Sequence, residues 1–449
     1  MGEVRKMAKL AAPIVGAQLL IQSMTFVDNI MVGQLGPEPL AALAVAGSLY
    51  SMVMVVAMGA LGAVSPLVTH SLADPSSGRM GHVTRQALMF ALALSVVVNL
   101  VLVFCEPILA LLGQSENLIA ISTPYIRVMM LTVPAHFAMI ALRHVAEGHE
   151  DSMPGFIILA VAALINIPFD YVLIHGHYGF PKMGVMGAAV ATASLAWLSL
   201  VAYVLYLSFH KRYRAYRLWR GSFSTDVRLM LDLLRIGIPL GGAIGIELTF
   251  FAATTLIMGT IGTTELAAHQ IALNAASMVF MIPLGMSFAV SIRVGLHRGR
   301  GNQLGARRAW QASILITLLT QALTAIFFFT SPDWIISLYS QSGEVALLGV
   351  RLLFVAAFFQ LFDGMQAIGI GALRGMKDTA YALMATFVSF WCVGSLVIAY
   401  FYYFQDKSVV GIWAGLLVGL AVACLFHHIR MERRTRIDLL TPLREIGQN

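Results

Sequence analysis

The stretch from Ile236 to Thr264 reads IGIPLGGAIGIELTFFAATTLIMGTIGTT and carries a single ionisable side chain, Glu247. An apolar run of this length crosses a bilayer as one helix, because about 20 residues at ~1.5 Å each span the hydrocarbon layer. Glu247 then lies roughly 18 Å beyond the preceding Arg235, near mid-depth. A charge at that depth costs about 2.5–3.5 kcal/mol even on lenient scales. The carboxylate therefore predicts a cavity, a bound cation or a hydrogen-bonding partner.

The helix built from this stretch has two distinct faces. Gly237, Gly241 and Gly245 recur at every fourth residue, and such a stripe lets another helix approach closely. Glu247 lies on a different face, which also carries aromatic and mildly polar side chains. We predict that these side chains line a substrate cleft: Phe250, Phe251 and Thr254. In the alternative reading, Glu247 is held by a basic or hydroxyl partner and only joins helices.

The composition of the chain is that of a membrane protein. Of 449 residues, 59% are hydrophobic and 11% are charged, with a mean hydropathy of +0.81. Three cysteines lie inside apolar runs, so neither a disulfide framework nor a metal cluster is predicted. Twelve apolar segments predict an all-α polytopic membrane protein with twelve transmembrane helices. They cover residues 8–33, 40–71, 86–112, 118–144, 153–175, 186–210, 234–260, 266–295, 308–331, 344–371, 379–403 and 409–430.

The basic residues follow the loops between these segments. The 29 Lys and Arg exceed the 22 Asp and Glu, and they concentrate in alternate loops and in the tail. By the positive-inside rule these loops and both termini are cytoplasmic. Termini on the same side require an even number of spans, which agrees with twelve. The excess of basic residues is therefore explained by the orientation of the chain in a lipid bilayer, and it gives no reason to expect a nucleic-acid partner. We expect a multi-pass monomer.

The two halves of the chain repeat each other. When the sequence is aligned with a copy of itself shifted by 226 residues and no gap is allowed, the two halves match at several positions. Pro13 matches Pro239, Gly16 matches Gly242, and the Leu-Ala-Ala run at 40–42 matches that at 266–268. Six spans per half give both halves the same direction, so we predict two lobes related by a pseudo-two-fold parallel repeat, with a substrate cleft between them. The predicted divisions are an N-terminal lobe at 1–210, a cytoplasmic linker at 211–233, a C-terminal lobe at 234–430 and a cytoplasmic tail at 431–449.

Two spans of the first half carry further acids. Asp28 shares its helical face with Met24 and Met31, whose polarizable side chains adapt to varied ligands; simple core packing is the alternative. In the fifth span, Asn166 and Asp170 lie one turn apart and can coordinate a cation together with Asp28. Asp170 can equally lie at the membrane–water boundary.

The tenth span holds Asp363 near mid-depth. Its face also carries Phe359, Gln360 and Gln366. Two glutamines beside a carboxylate form a polar wall that a lipid-facing helix would not tolerate. We therefore predict that this face belongs to the substrate cleft.

The sequence contains no nucleotide-binding loop, nucleophile–base pair or metal-spaced His/Cys set, so neither an enzyme nor a bound cofactor is expected. His269 is isolated and is predicted to be structural. Energy then comes from an ion gradient, because intramembrane carboxylates can hold Na⁺ or H⁺ at one stage and a cationic substrate at another. Mutual exclusion of the two ligands gives antiport without covalent chemistry.

Five separated motifs carry a resemblance to a known family. They read VDNIMVG at 27–33, NIP at 166–168, AHQIALN at 268–274, SIRVG at 291–295 and LRGMKDT at 373–379. In this order, and over essentially all twelve spans, the chain closely resembles the multidrug and toxic compound extrusion (MATE) transporters of the NorM branch.

The resemblance implies a two-lobed transporter of the bacterial inner membrane that exports lipophilic, mostly cationic drugs in exchange for Na⁺ or H⁺. Carried over by motif, Glu247 and Asp363 would be the cation-coupling pair and would bind Na⁺, with Gln270 as a neighbour. Asp28 and Asn166 would form a first-lobe site. Where some relatives have Tyr and Asn, this chain has Phe359 and Asp170, so the choice between Na⁺ and H⁺ stays open.

Three other classes of protein compete with this interpretation. A major facilitator transporter would carry a leading glycine in the loop between its second and third spans, where this chain has His70. A lipid-linked precursor flippase of related fold would need a cationic cleft, whereas the acids here predict an acidic one. An intramembrane enzyme would need a nucleophile and a base at one depth.

Overall fold

The computed structural model describes residues 2–72, 79–216, 218–221, 224–339 and 343–446, with side chains through Arg436. Parts of the predicted linker (217, 222 and 223), the end of the predicted tail (447–449) and residues 73–78 of the loop after His70 lie outside these ranges. The described elements are helices: α1 Gly2–Gly33, α2 Pro37–Leu61, α3 Val64–Ser71, α4 Arg79–Leu102, α5 Cys105–Leu111, α6 Glu116–Gly148, α7 Met153–His175, α8 Val185–Phe209, α9 Lys211–Arg214, α10 Val227–Ile261, α11 Thr263–Gly299, α12 Gln303–Thr330, α13 Pro332–Ser337, α14 Gly343–Gly375, α15 Thr379–Phe387, α16 Ser395–Phe404 and α17 Val409–Ile446. A π-helical stretch, Val388–Gly394, joins α15 to α16.

The described residues include twelve helical spans that are long enough and apolar enough to cross a bilayer. The predicted all-α polytopic class with twelve spans is confirmed. Several helices run further than predicted: α10 begins at Val227 and α14 ends at Gly375. The apolar pattern marks the part of a helix that lies in lipid, whereas the hydrogen-bonded helix continues into the polar ends.

The predicted third segment, 86–112, is not one helix. The structure ends α4 at Leu102 and starts α5 at Cys105. Pro107 lies in the first turn of α5, where its missing N–H needs no partner. In an uninterrupted helix its ring would clash with the carbonyl of Val103, so the break has a local cause.

The chain forms two compact units. The N-unit comprises Gly16–Gly241, and the C-unit comprises Met1–Val15 together with Gly242–Asn449. The boundaries at Gly16 and Gly242 fall on two residues that the sequence repeat aligns with each other. The predicted boundary at the linker is therefore corrected: residues 211–241 belong to the N-unit, and residues 1–15 to the C-unit.

Each unit is built around one central helix. In the N-unit, α6 packs against α2, α4 and α8, and its second half is almost entirely buried. In the C-unit, α14 packs against α11, α12 and α17. The two helices have the same length, 33 residues, and α6 is the fourth span of the chain and α14 the tenth. They are the equivalent central elements of the two repeats.

Hydrogen bonds attach the linker to the N-unit and explain the corrected boundary. Asp151 accepts hydrogen bonds from the hydroxyls of Tyr206 (2.9 Å) and Tyr213 (2.7 Å). Burial and the Asp151 carboxylate raise the pKa of Tyr213, so this hydroxyl stays a donor. Beyond it, His82 Nε2 lies 2.8 Å from Asp226 Oδ2 and holds the pKa of the Asp226 carboxyl below its usual range.

The start of α1 is attached to the C-unit in a comparable way. Arg293 donates to the Glu3 carboxylate at 2.8 Å, and Met7, Leu10 and Ile14 are buried in a core shared with α11, α12 and α14. These contacts explain why residues 1–15 group with the second half of the chain.

Candidate functional site

The C-unit brings two of the predicted coupling residues together with one residue predicted to line the substrate cleft. Glu247 lies on α10, and Asp363 and Gln366 lie one turn apart on α14. The Gln366 amide donates a 3.2 Å hydrogen bond to Glu247 Oε2. Asp363 is 5% exposed and interacts electrostatically with Glu247. Two carboxylates thus share one apolar surrounding.

Aromatic residues on the two helices that carry this pair pack against other rings of the C-unit. Phe251 contacts Phe359 edge to face at 6.0 Å, and Phe359 lies 5.7 Å from the ring of Trp413. Phe250 packs against Phe390 at 5.3 Å, at the π-helical stretch. Phe250 and Phe359 belong to the C-unit core, whereas Phe251 is only half-buried.

Two more predicted cleft residues are also held within the core. Thr254 is buried and donates to the Phe250 carbonyl at 2.9 Å. Gln360 is fully buried, donates to the Ala276 carbonyl at 2.9 Å, and accepts from Gln321 at 3.2 Å. A substrate would reach either side chain only if the helices moved, so these cleft assignments stay predictions.

Gln321 on α12 is a buried polar residue that the sequence reasoning missed. Its amide donates to the Gln360 carbonyl at 2.7 Å, and its own oxygen, like the hydroxyl of Thr317, is buried without a hydrogen-bond partner in the described structure. The stem of Gln321 packs on Gly364, next to Asp363. The signal that could have revealed it is the i,i+4 polar pair formed by Thr317 and Gln321 inside an apolar span.

His269 has the structural role predicted for it. The indole N–H of Trp413 donates to His269 Nδ1 at 3.1 Å, so the imidazole proton lies on Nε2, which faces the Thr255 hydroxyl at 3.0 Å. Both ring nitrogens are therefore engaged. The adjacent Gln270 is exposed and has no hydrogen bond among the described residues, so its predicted place beside Glu247 stays a prediction.

The N-unit assembles a second acidic cluster from α1 and α7. Asn166 and Asp170 are completely buried, and their side chains lie close to Asp28 without reaching ordinary hydrogen-bond distance. Five polar atoms of these residues are buried without a hydrogen-bond partner in the described structure. They are Asp28 Oδ1, both amide atoms of Asn166 and both carboxylate oxygens of Asp170. Buried polar atoms are normally paired, so this cluster is suited to a ligand that supplies the missing contacts.

Tyr125 lies near this cluster, and the two predicted methionines lie on α1, the helix that carries Asp28. Tyr125 on α6 is buried and lies close enough to both acids for electrostatic interaction, although the sequence reasoning did not select it. Met24 and Met31 on α1 are half-buried. Asp170 is completely buried within the protein, and its predicted role in cation binding stays a prediction, as does the alternative of a position at the membrane–water boundary.

Another buried acid within a span has a different environment. Glu147 on α6 is 2% exposed, with one carboxylate oxygen 3.3 Å from Arg143 Nε and the other 3.2 Å from His144 Nδ1. By contrast, no Lys, Arg or His pairs with the carboxylates of the two clusters within the described residues. Those acids are Glu247, Asp363, Asp28 and Asp170.

The donor set of both clusters consists of oxygens. Carboxylates, amide oxygens and hydroxyls suit hard cations such as Na⁺, or a proton, better than transition metals. Among the described residues, no group of three or more His, Cys, Asp or Glu is placed to hold a metal ion. The predicted binding of a small cation at each cluster stays a prediction.

Comparison with known proteins places the chain in a family. The MatE family model matches residues 13–172 and again residues 239–401. The two matches start at Pro13 and Pro239, which the sequence repeat aligns with each other.

Curated relatives match along nearly the whole chain. A probable multidrug resistance protein NorM of Pseudomonas putida is 34% identical over 428 residues, covering 94% of this chain and 93% of the relative. The multidrug resistance protein MdtK of Yersinia pseudotuberculosis is 32% identical over 436 residues, covering 96% and 95%.

Solved structures share the fold. The eukaryotic MATE transporter AtDTX14 superposes with a TM-score of 0.86 at 20% identity, covering 97% of this chain and 98% of the other. An outward-facing multidrug resistance MATE transporter gives a TM-score of 0.88 at 19% identity, covering 97% and 96%. The competing major facilitator, flippase and enzyme interpretations do not account for these matches. The chain is a multi-pass membrane transporter that belongs to the MATE family and is of the NorM type.

Proposed function

We propose that this transporter exports lipophilic cations, including drugs and dyes, and takes up Na⁺ or H⁺ in exchange. The carboxylates of Glu247 and Asp363 form the coupling site in the C-unit. Asp28, Asn166 and Asp170 form a second cation site in the N-unit. Relatives whose names describe multidrug resistance support the substrate class.

One observation carries this proposal: the acids of both clusters have no basic partner among the described residues. Glu147, another buried acid of the same chain, does have basic partners. Glu147 is held by Arg143 and His144, so it is neutralised permanently. Glu247 receives only an amide hydrogen bond from Gln366. An acid of this second kind needs a mobile cation, and a transporter supplies that cation from either side of the membrane.

Antiport follows from competition for the same negative charge. A bound Na⁺ or proton neutralises the pair and removes the attraction for a cationic substrate, and binding of the substrate has the converse effect. The coupling is limited by the difference between the affinities of the two ligands in each conformation. The protein needs no covalent step and no bound cofactor.

The charged loops support an orientation with both termini in the cytoplasm. The basic linker that begins at Lys211 and the basic end of α17 lie on the side to which the positive-inside rule assigns the cytoplasm. The relatives come from bacteria, so we place this protein in the bacterial inner membrane. We expect it to be a monomer.

Separate ion gradients test the proposal. Purified protein is reconstituted into vesicles with a fluorescent lipophilic cation, and either a Na⁺ gradient at equal pH or a pH gradient without Na⁺ is imposed. Dye movement against its own gradient is expected under one or both. Glu247→Gln and Asp363→Asn should each slow it at least about tenfold, because losing a charged ligand costs more than about 1.4 kcal/mol.

A matched variant separates coupling from general damage. Glu344→Gln removes a carboxylate from the exposed first turn of α14, the helix that carries Asp363, and should transport dye like the unaltered protein. Asp28→Asn tests the N-unit cluster in the same assay. Full transport by Glu247→Gln, or no response to either gradient, would overturn the proposal.

A further inference from the structure

A cavity of about 760 Å³ opens at the end of the C-unit where α1 and α12 begin. Its walls come from the first turn of α1, the last turn of α11, and the first three turns of α12. None of these residues belongs to either acidic cluster. The size falls within the range of about 300–1,000 Å³ that is usual for small-molecule sites.

The floor of this cavity is a fixed, internally neutralised structure. Glu3 is bound by Arg293, which is 4% exposed, and His297 lies 3.5 Å from the same carboxylate oxygen. The ring of His297 packs directly on Gly305, where any side chain would collide with it. This direct contact between α11 and α12 therefore fixes one wall of the cavity.

The mouth of the cavity carries uncompensated positive charge. Lys6 and Arg308 both line it, both are exposed, and neither has a hydrogen bond or an ion pair with another described residue. The neighbouring Arg307, by contrast, pairs with Glu432 at 2.6 Å. With Glu3 already neutralised, the cavity presents a net charge of about +2 to a ligand, which selects for an anion.

An apolar strip runs from this mouth along the outer face of α12. Leu315 lines the cavity and is 50% exposed, and Leu319 and Leu323, four and eight residues further on, are 59% and 67% exposed. At ~1.5 Å per residue, Arg308 and Leu319 are separated by roughly 16 Å, about the thickness of half a hydrocarbon layer. The charges thus lie near the polar headgroups and the leucines among the acyl chains.

We propose that this cavity is a binding site for a phospholipid with an anionic headgroup. The headgroup occupies the space between Lys6 and Arg308, and an acyl chain lies along Leu315 and Leu319. A soluble anion would satisfy the two cations but would leave the apolar strip unused. Because the site includes α1 and α12, a bound lipid stabilises the attachment of α1 to the rest of the C-unit.

Thermal unfolding of delipidated protein in detergent tests this inference. Phosphatidylglycerol is added in increasing amounts, and its effect on the unfolding midpoint is compared with that of neutral phosphatidylcholine. Phosphatidylglycerol should raise the midpoint at much lower concentration. The double variant Lys6→Gln/Arg308→Gln should need roughly tenfold more of it, because each cation near an anionic lipid contributes to binding.

The control removes the same charge elsewhere on the C-unit. Arg300 and Arg433 are exposed and do not line the cavity, so Arg300→Gln/Arg433→Gln should respond to phosphatidylglycerol like the unaltered protein. An equal loss in this control would show general surface attraction and would overturn the site. An equal rise with inorganic phosphate, or an unchanged response of the Lys6/Arg308 variant, would overturn it as well.

Discussion

At the scale of single residues, Glu147 and Glu247 are two acids within spans that have different partners. Both side chains belong to apolar spans. Glu147 contacts a guanidinium and an imidazole, so its charge is balanced within α6 itself. Glu247 has no comparable basic partner among the described residues, which is why we propose that a mobile cation balances its charge. We therefore expect Glu147 to contribute to stability and Glu247 to bind a ligand.

Removing the arginine of the first pair should destabilise the protein. In Arg143→Met, Glu147 would stay buried with only His144 beside it, and breaking one side of a buried ion pair costs about 3–5 kcal/mol. We expect a clear fall in the unfolding midpoint of the purified protein. The midpoint of Glu247→Gln should fall little or not at all, because this change removes a charge that has no basic partner.

The double variant Arg143→Met/Glu147→Gln provides the control. It removes both charges together, so it should recover most of the stability lost in Arg143→Met. If Arg143→Met unfolds at the same temperature as the unaltered protein, the ion pair contributes nothing and the distinction between the two glutamates fails.

The sequence predicts the acidic residues of both clusters but not their surroundings. Helical periodicity and depth suffice to select Asp28, Asn166 and Asp170, which the structure brings together. They do not reveal Tyr125, because a tyrosine in an apolar span is usually core. They also cannot separate Gln366, which reaches Glu247, from Gln360, which is tied to a backbone carbonyl, since that depends on which helices are neighbours.

At the scale of helices, the glycines of α10 set its distance from α2. A methyl group on Gly241 would overlap the carbonyl oxygen of Val56, and one on Gly237 would meet that of Ala60. The backbones of α2 and α10 therefore touch directly, as the glycine stripe predicts. This contact lies within the N-unit and holds the part of α10 that precedes Glu247.

A single methyl group should disturb this contact. Gly241→Ala forces the two backbones apart, and such overpacking costs about 1–3 kcal/mol. We expect a lower unfolding midpoint for this variant. Gly47→Ala is the matched control, because Gly47 is inside α2 and a Cβ there would meet nothing within 4 Å. Alanine favours a helix over glycine by ~1 kcal/mol, so the control should unfold at an equal or higher temperature. Equal destabilisation of both variants would contradict the close approach.

Helix boundaries are where sequence reasoning is least complete. The twelve apolar segments coincide with the twelve spans, because hydropathy reports burial in lipid. The unit boundary was misplaced because loops look like linkers in a sequence. Here the linker is fastened to the N-unit by Asp151 and Asp226, and the chain passes between units inside α1 and α10. Tertiary hydrogen bonds of this kind leave no periodic signal.

At the scale of the whole molecule, charge distribution and helix count together predict an orientation in the membrane. The linker after α8 is rich in arginine, whereas the loop before α8 has Lys182 alone. Since α8 has 25 residues, it is about 37 Å long and crosses the bilayer once. We therefore expect Lys182 and Arg214 to lie on opposite sides of the membrane, with Arg214 in the cytoplasm by the positive-inside rule.

Labelling with a membrane-impermeant maleimide should reveal this orientation directly. Cys105, Cys392 and Cys424 are first replaced by serine, and then Lys182→Cys and Arg214→Cys are made separately; both positions are exposed. In intact bacterial cells only the cysteine at 182 should react, and in inside-out vesicles only the one at 214. The two variants control for each other, because each must react in one preparation and stay silent in the other. Reversed labelling would place the arginine-rich linker outside the cell. The proposed direction of transport, with Na⁺ or H⁺ entering from the outer side, would then lose its support. Labelling of both positions from one side would contradict α8 as a spanning helix. The first half of the chain would then hold five spans and the second half six, so the two halves would enter the membrane in opposite directions and the repeat would not be parallel.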